Sequence, residues 1–184
     1  MNKKLEAKVF PLEVCTINFQ IEENVAFVMR SAVCFGASTV NVIGSIPEHK
    51  YLVQRGGTTQ DCVVINQFSN IHQFLEYVKK EDIFLVTAEL TETSVSIHDF
   101  KFPFDKRICI VLGHETMGVP EELLLYADAL IQIPLPGKGF CLNTSVTGAL
   151  FMYEVMRQYA EQHKEMQRMW EDFSTNQGIL SNKD

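Results

Sequence analysis

Hydrophobic and polar positions along this chain switch repeatedly between two periods. EVCTINF at 13–19 alternates loosely and predicts a strand. ENVAFVMRSAVCFGA at 23–37 instead sets Val25, Val28, Met29, Ala32 and Val33 at helical spacing, with Gly36 as its stop. STVNVIGS predicts a second short strand, QRGGTTQ a polar glycine turn, and CVVI a third strand. NIHQFLEYVKK is an amphipathic helix with Ile71, Phe74, Leu75 and Val78 on one face. IFLVTAEL at 83–90 is a buried strand running into a loop, and TETSVSIHDFKFPFDK after it is polar and irregular. RICIVLGHETMGVPEELLLYAD predicts a strand, a loop and a helix with Pro120 in its first turn. ALIQIPL is the last strand, and NTSVTGALFMYEVMRQYAEQ a long helix.

Strands thus alternate with helices, and several strands are continuous apolar runs. That pattern predicts an α/β domain whose mostly parallel sheet is flanked by helices. No internal repeat and no low-complexity segment interrupts it. The division expected is a domain over residues 1–160 and a helical extension with a loose tail over 161–184. In the extension, Met166, Met169, Trp170 and Phe173 share a helical face, which predicts packing on the domain, with a dimer contact as the alternative. STNQGILSNKD is expected to be a loose end.

Composition narrows the classes. The chain has 184 residues, 46% of them hydrophobic, enough for one domain with a sizeable core. No apolar stretch is long enough to span a bilayer, and MNKKLEAKVF lacks the apolar segment of a secretory signal. A cytoplasmic protein with no membrane association is expected. The cysteines, at 15, 34, 62, 109 and 141, form no CxxC pair and no zinc-type spacing with histidine. They are expected to be mostly buried free thiols, and no metal is expected. A net charge of -7 argues against a nucleic-acid coat protein, but the field at a site depends on local charges.

Ligands of open α/β sheets bind beyond the carboxyl ends of strands. Three such ends carry loop chemistry: VTAEL at 86–90, LGHETMGVP at 112–120 and IPLPGKGFCLN at 133–143. The phosphate-loop pattern GxxxxGK is absent, and neither GHETMG nor GKGF makes GxGxxG. His114-Glu115 lacks the second histidine of HExxH, and GxSxG is missing.

Three segments, ENVAFVMRSAVCFGASTVNVIG, ICIVLGHETMGVPEELLLYAD and IQIPLPGKGFCLNTSVTGALFMYE, resemble the three motifs of the SpoU/TrmH family. These are S-adenosylmethionine-dependent RNA 2'-O-ribose methyltransferases of the SPOUT superfamily, and the resemblance runs from about residue 13 to 160. It implies a sheet whose C-terminal part is threaded into a trefoil knot, a homodimer, and a cofactor bent into the knot loops. General folding rules would not suggest a knot.

Read through that resemblance, Asn24 and Arg30 match the first motif, and Ala26 stands where glycine is usual. Arg30 becomes the leading catalytic residue. A guanidinium keeps its proton, so a grip on an RNA phosphate and on the developing alkoxide is expected rather than base catalysis. Gly113, Glu115 and Gly118 match GxExxG. Glu115 is expected to position Asn24 or the loop, or else to cap the helix near Pro120. His114 is read as exposed loop. In the third motif Asn143 and Ser145 match, Cys141 replaces a serine, and the weaker thiol puts a substrate hydrogen bond in question. Asn143 and Ser145 are expected to cap the following helix.

The positions implied for the cofactor are Thr87, Ala88, Leu112, Gly113, Gly118, Ile133, Leu135 and Leu142. Backbone groups of Ile133, Leu135 and Leu142 would take the adenine and ribose. Those implied for RNA are Arg30, Arg55, Lys138, Cys141 and Ser145, with Lys50 a further basic candidate. The catalytic set implied is Arg30, Asn24, Glu115 and Asn143, with no metal, because methyl transfer depends on in-line alignment. No extra N-terminal RNA-recognition domain of the kind some ribosomal-RNA members carry is expected, which favours transfer RNA over ribosomal RNA as the expected substrate. A non-catalytic RNA- or cofactor-binding relative is the remaining alternative, suggested by Cys141, Ala26 and the acidic charge.

Overall fold

The structure, a computed structural model, describes residues 10–57, 62–164 and 166–168. Strands β1 (Phe10–Ile17), β2 (Ala37–Ile43), β3 (Val64–Phe68), β4 (Phe84–Ala88), β5 (Val95–Ser96), β6 (Ile108–Leu112) and β7 (Ala129–Gln132) form one sheet. Their order is β3-β2-β1-β6-β4-β7-β5, and all pairings are parallel. The helices are α1 (Glu22–Cys34), α2 (His49–Gly56), α3 (Ile71–Lys80), α4 (Glu121–Tyr126) and α5 (Thr144–Gln162).

Side-chain alternation along each strand assigns the two faces. Leu12 and Val14 of β1 and Ile108 and Ile110 of β6 pack against Val25, Val28 and Met29 of α1, Leu52 of α2 and Phe151 and Met152 of α5. Cys15 and Ile17, with Cys109 and Val111, pack against Phe74 and Val78 of α3 and Leu123 of α4. Burial on both faces explains why β6 reads as the unbroken run Ile-Cys-Ile-Val-Leu, every residue of which is buried. β6 is inserted between β1 and β4, so successive crossovers diverge at this point. That divergence opens a crevice above the carboxyl ends of β1, β6 and β4.

Several elements differ from the reading of the sequence alone. The turn expected at QRGGTTQ begins inside α2, whose single buried leucine, Leu52, gives little periodic signal. The segment from 91 to 106 contains β5, too short to alternate visibly. It is anchored by Phe102, buried, and by Gln158 of α5, whose Nε2 donates to Phe100 O at 2.9 Å while Phe102 N donates to its Oε1 at 3.1 Å. Pro120 is the N-cap of α4 rather than a residue of its first turn. Only Cys15 and Cys109 are buried; Cys34, Cys62 and Cys141 are exposed, because they lie at a helix end or in loops. Met166 is buried against the first core cluster, while Met169, Trp170 and Phe173 lie outside the described residues.

At the amino-terminal half of the sheet, Glu13 is fully buried. Its carboxylate accepts from Arg107 Nη1 at 3.1 Å, from Tyr77 Oη at 3.0 Å and from Asn41 Nδ2 at 2.7 Å. Arg107 also donates to Glu81 at 2.6 Å, and Asn66 donates to Asn41 Oδ1 at 3.1 Å. Burial, reinforced by the Glu13 charge, pushes the Tyr77 hydroxyl and the Cys15 thiol well up in pKa, so both stay neutral. A buried carboxylate is tolerated here because its acceptor sites are filled. Replacing Arg107→Met is expected to cost about 3 kcal/mol by leaving Glu13 without its cation. Thermal unfolding followed by circular dichroism should show a melting temperature lower by about 6–10 °C.

Candidate active site

Above the carboxyl ends of β1, β4, β6 and β7 lies a cavity of about 790 Å³. That volume is within the range of about 300–1,000 Å³ usual for small-molecule sites. Leu112, Ile131, Ile133, Leu135, Leu142 and Phe151 supply apolar wall. Ala88, Glu89 and Leu90 close one side, and the loops after β6 and β7 close the others.

The polar side of the cavity is organised from the start of α5. Asn143 is its N-cap, and its Oδ1 accepts from Ser145 N at 2.8 Å and Ser145 Oγ at 2.6 Å. Its Nδ2 is thereby turned outward and donates to Asn24 Oδ1 at 3.0 Å. Asn24 Nδ2 in turn donates to Glu115 Oε1 at 2.8 Å. Glu115 also accepts from the backbone N–H of Gln20 at 3.0 Å and Ile21 at 3.2 Å. Ile21 is the N-cap of α1 and has no side-chain cap of its own. Glu115, brought in by the loop after β6, satisfies N–H groups that the local sequence leaves open. Partial burial works to raise the Glu115 carboxyl, but the hydrogen bonds from Asn24, Gln20 and Ile21 outweigh it and hold the group below the usual glutamate value.

The loop after β6 is tight. His114 and Gly118 exchange backbone hydrogen bonds of 3.0 Å in both directions. A Cβ on Gly113 would lie 2.7 Å from the Gly118 carbonyl carbon, so no side chain fits there. Gly118 has φ +68°, and a Cβ on it would lie 2.6 Å from Glu89 Oε2. Glu89 Oε2 accepts from Val119 N at 2.9 Å, tying the loop after β4 to the loop after β6. Thr144 Oγ1 donates to Gly113 O at 3.0 Å, tying the start of α5 to the same turn. His114 is half-buried rather than exposed, and its Nδ1 accepts from Thr116 N at 3.1 Å, so the ring braces the loop.

Most positions singled out from the sequence meet at this cavity. Ala88, Leu112, Gly113, Gly118, Ile133, Leu135, Leu142, Glu115, Asn143 and Cys141 all line it. Asn24 stands behind it, hydrogen-bonded to two of them. Thr87 is fully buried in β4, outside the lining, and Ser145 is buried beneath Asn143. Arg30 lies on the exposed face of α1 with no described partner. Arg55 pairs with Glu23 at 3.5 Å and stacks over Tyr51 at 5.8 Å. Lys138 is exposed in the loop before α5, and Lys50 in α2. Glu89, Thr144 and Thr147 also line the cavity and had not been singled out. The available signal for Glu89 was an acid placed directly after a buried strand, in VTAEL. Among the described residues, no group of three His, Cys, Asp or Glu could hold a metal, and no helix is long and apolar enough to cross a membrane.

Comparison with known proteins gives a consistent result. The tRNA (guanosine(18)-2'-O)-methyltransferase of Escherichia coli K12 is 25% identical over 147 residues, covering 80% of this chain. This chain matches 63% of that relative's length. A putative tRNA (cytidine(34)-2'-O)-methyltransferase of Geobacillus stearothermophilus is 27% identical over 152 residues, covering 80% of this chain and 94% of its own length. The crystal structure of an AdoMet-bound rRNA methyltransferase from Sinorhizobium meliloti superposes with a TM-score of 0.74, at 21% identity, over 83% of this chain and 58% of that one, a likeness of fold. A sequence profile of the SpoU rRNA Methylase family matches residues 11–153. That match spans the crevice strands, the Glu115–Asn24–Asn143 chain and the start of α5, and with it the chain belongs to the SpoU rRNA Methylase family.

Proposed function

We propose that this chain is an S-adenosylmethionine-dependent methyltransferase of the ribose 2'-hydroxyl of RNA, with transfer RNA as its substrate. The observation that carries this reading is the hydrogen-bonded chain Asn143–Asn24–Glu115, which joins all three family motifs at one cavity. The Escherichia coli and Geobacillus stearothermophilus relatives are both named as tRNA 2'-O-methyltransferases. The Sinorhizobium meliloti neighbour is described as an rRNA methyltransferase, so ribosomal RNA is the second reading.

The residues present fit the cofactor. Apolar walls from Ile133, Leu135 and Leu142 suit a flat purine, and the turn beside them closes so tightly that Gly113 packs directly on the Gly118–Val119 backbone. Bound S-adenosylmethionine would supply an activated methyl on a cationic sulfonium. The chain's own part is to bind and align: Glu89 and Glu115 give the cavity negative charge, and Asn143 and Asn24 fix the loops that shape it. Thr87 acts only through the strand that carries Ala88. Cys141 on the wall would face the RNA ribose. Ser145 contributes by orienting Asn143.

A homodimer belongs to the same reading. α1 and α5 pack side by side, and each leaves large apolar side chains exposed: Phe27 at 43%, Val146 at 46%, Leu150 at 42% and Tyr153 at 47%. Arg30 shares the exposed face of α1 with Phe27. A second copy docked there would set Arg30 at the seam, where its guanidinium grips an RNA phosphate beside the developing alkoxide. Arg55 and Lys138 would add phosphate contacts. The trefoil knot is also part of the reading, supported by β6 lying between two earlier strands and by α5 returning from β7 to pack on α1 and β1. We assign residues 1–160 to the methyltransferase unit and 161–184 to an extension, acting in the cytoplasm on RNA.

The reading is tested by incubating the purified chain with labelled S-adenosylmethionine and separate pools of transfer and ribosomal RNA, then digesting to nucleosides. Label is expected in 2'-O-methyl nucleosides of transfer RNA; label in neither pool, with cofactor bound, would favour a non-catalytic relative. Arg30→Ala is expected to lower kcat by about 100-fold with cofactor affinity unchanged. Near-full activity in Arg30→Lys would remove any role that needs the planar fork. Cys141→Ser is expected to raise turnover a few-fold, since a hydroxyl is the better hydrogen-bonding group; unchanged turnover would separate Cys141 from the substrate. Glu115→Gln should lower the melting temperature by about 2–5 °C at pH 7 by weakening the clip on α1. Because the Glu115 carboxyl is held below its ordinary value, its contribution is present above the ordinary carboxylate range and is lost as pH falls through the lowered value. The wild-type and Glu115→Gln melting temperatures should therefore converge in acid.

A further inference from the structure

The loop from 134 to 141 is exposed throughout, and its most exposed apolar side chain is Phe140, at 96%. The next most exposed phenylalanine among the described residues is Phe27, at 43%. Phenylalanines in other irregular segments, such as Phe100, Phe102 and Phe104, pack on the core. Burying a phenyl ring is favourable by about 1.5–3 kcal/mol, so a bare one beside a cavity is a contact surface without its occupant. Phe140 lines the cavity, next to Cys141 and three residues before Asn143.

The chemistry of the loop selects the occupant. A Cβ on Gly137 or Gly139 would meet nothing within 4 Å, so the loop leading to the ring stands clear of other elements, as the ring itself does. Lys138, exposed and without a described partner, lies two positions away. The loop sequence IPLPGKGFCLN contains no acid. A flat aromatic face beside a free cation, with no carboxylate near in sequence, suits a nucleobase and its phosphate better than an acidic or aliphatic partner.

We propose that Phe140 is a stacking platform for an unpaired nucleobase of the RNA substrate at the cavity mouth, with Lys138 contacting the adjoining phosphate. This rests on the RNA methyltransferase reading and deepens it. RNA would be engaged at a loop, bulge or single-stranded end, where a base is free to splay out, and not along a paired helix. The ring touches base but no reacting atom, so Phe140 is a positioning residue.

The test uses the full chain and two fluorescent RNAs, a stem-loop and a fully paired duplex, with binding read by anisotropy and cofactor affinity by calorimetry. Phe140→Ala and Phe140→Leu are expected to weaken stem-loop binding about 5- to 100-fold. Phe140→Tyr is expected to bind like wild type, and duplex binding and cofactor affinity to stay unchanged in all three. On transfer RNA, the aliphatic variants should raise KM far more than they lower kcat. Since the ring is exposed, the variants should melt with wild type. Stem-loop binding by Phe140→Leu equal to wild type would overturn the proposal, since it would show no need for an aromatic face. So would an equal loss on duplex and stem-loop, a parallel loss of cofactor affinity, or a change of oligomeric state in Phe140→Ala, which would assign the ring to another surface. Stem-loop binding that depends on Phe140 in a chain that transfers no methyl would leave the platform standing and defeat the methyltransferase reading.

Discussion

Asn143 has to accept a hydrogen bond from Ser145 N, because the first turn of α5 offers that N–H and no other side chain takes it. This one requirement fixes the orientation of its amide, and the orientation propagates. The Asn143 Nδ2 faces Asn24 and donates to its Oδ1. Asn24 must then present its own Nδ2 to the next partner, which has to be an acceptor. Glu115 is that acceptor, and an ionised carboxylate suits it because it also receives two backbone N–H groups at the entry to α1. The result is a directional chain running from one helix start to another. It joins residues 119 and 91 positions apart in sequence, and the loops around the cavity hang from it.

The two ends of the sheet do different work with similar residues. At the amino-terminal half, Glu13 is fully buried, and arginine, tyrosine and asparagine saturate it. Burial keeps the neighbouring Cys15 and Cys109 thiols neutral. At the carboxyl ends, Glu115 and Glu89 line an open cavity and hold backbone rather than cations. Keeping charged side chains paired at one end and loops tethered at the other separates the buried ionic cluster from the open cavity along the same sheet.

The cavity needs little catalytic machinery if alignment is the main task. Its walls are apolar, its turns are held by backbone and hydroxyl hydrogen bonds, and its carboxylates are already occupied in positioning. The groups left free to meet a large partner are Arg30 on the exposed face of α1, Lys138 on the loop before α5, and Phe140 of that loop at the cavity's edge. An acidic chain can present such a surface because the field at a site depends on local charges, and neither Arg30 nor Lys138 has an ion-pair partner among the described residues.

Local pattern decided much of this. Alternating periods predicted the α/β layering, the unbroken apolar run at 108–112 predicted a strand covered on both faces, and Asn143 was recognisable as a cap from its place before an apolar-periodic run. The three motifs pointed to Asn24, Glu115 and Asn143 together. The sequence could not show which donor meets which acceptor, nor that Glu115 serves α1 rather than the helix at Pro120. It also could not show that β6 enters between β1 and β4, that α2 forms over His49–Gly56 and runs into the start of the stretch that reads as a turn, or that Cys34, Cys62 and Cys141 are exposed. Periodicity reports only whether a residue's own neighbourhood is wet or dry. Partners about a hundred residues apart, and the order in which strands settle side by side, are set by chain closure and packing, which only the folded structure fixes.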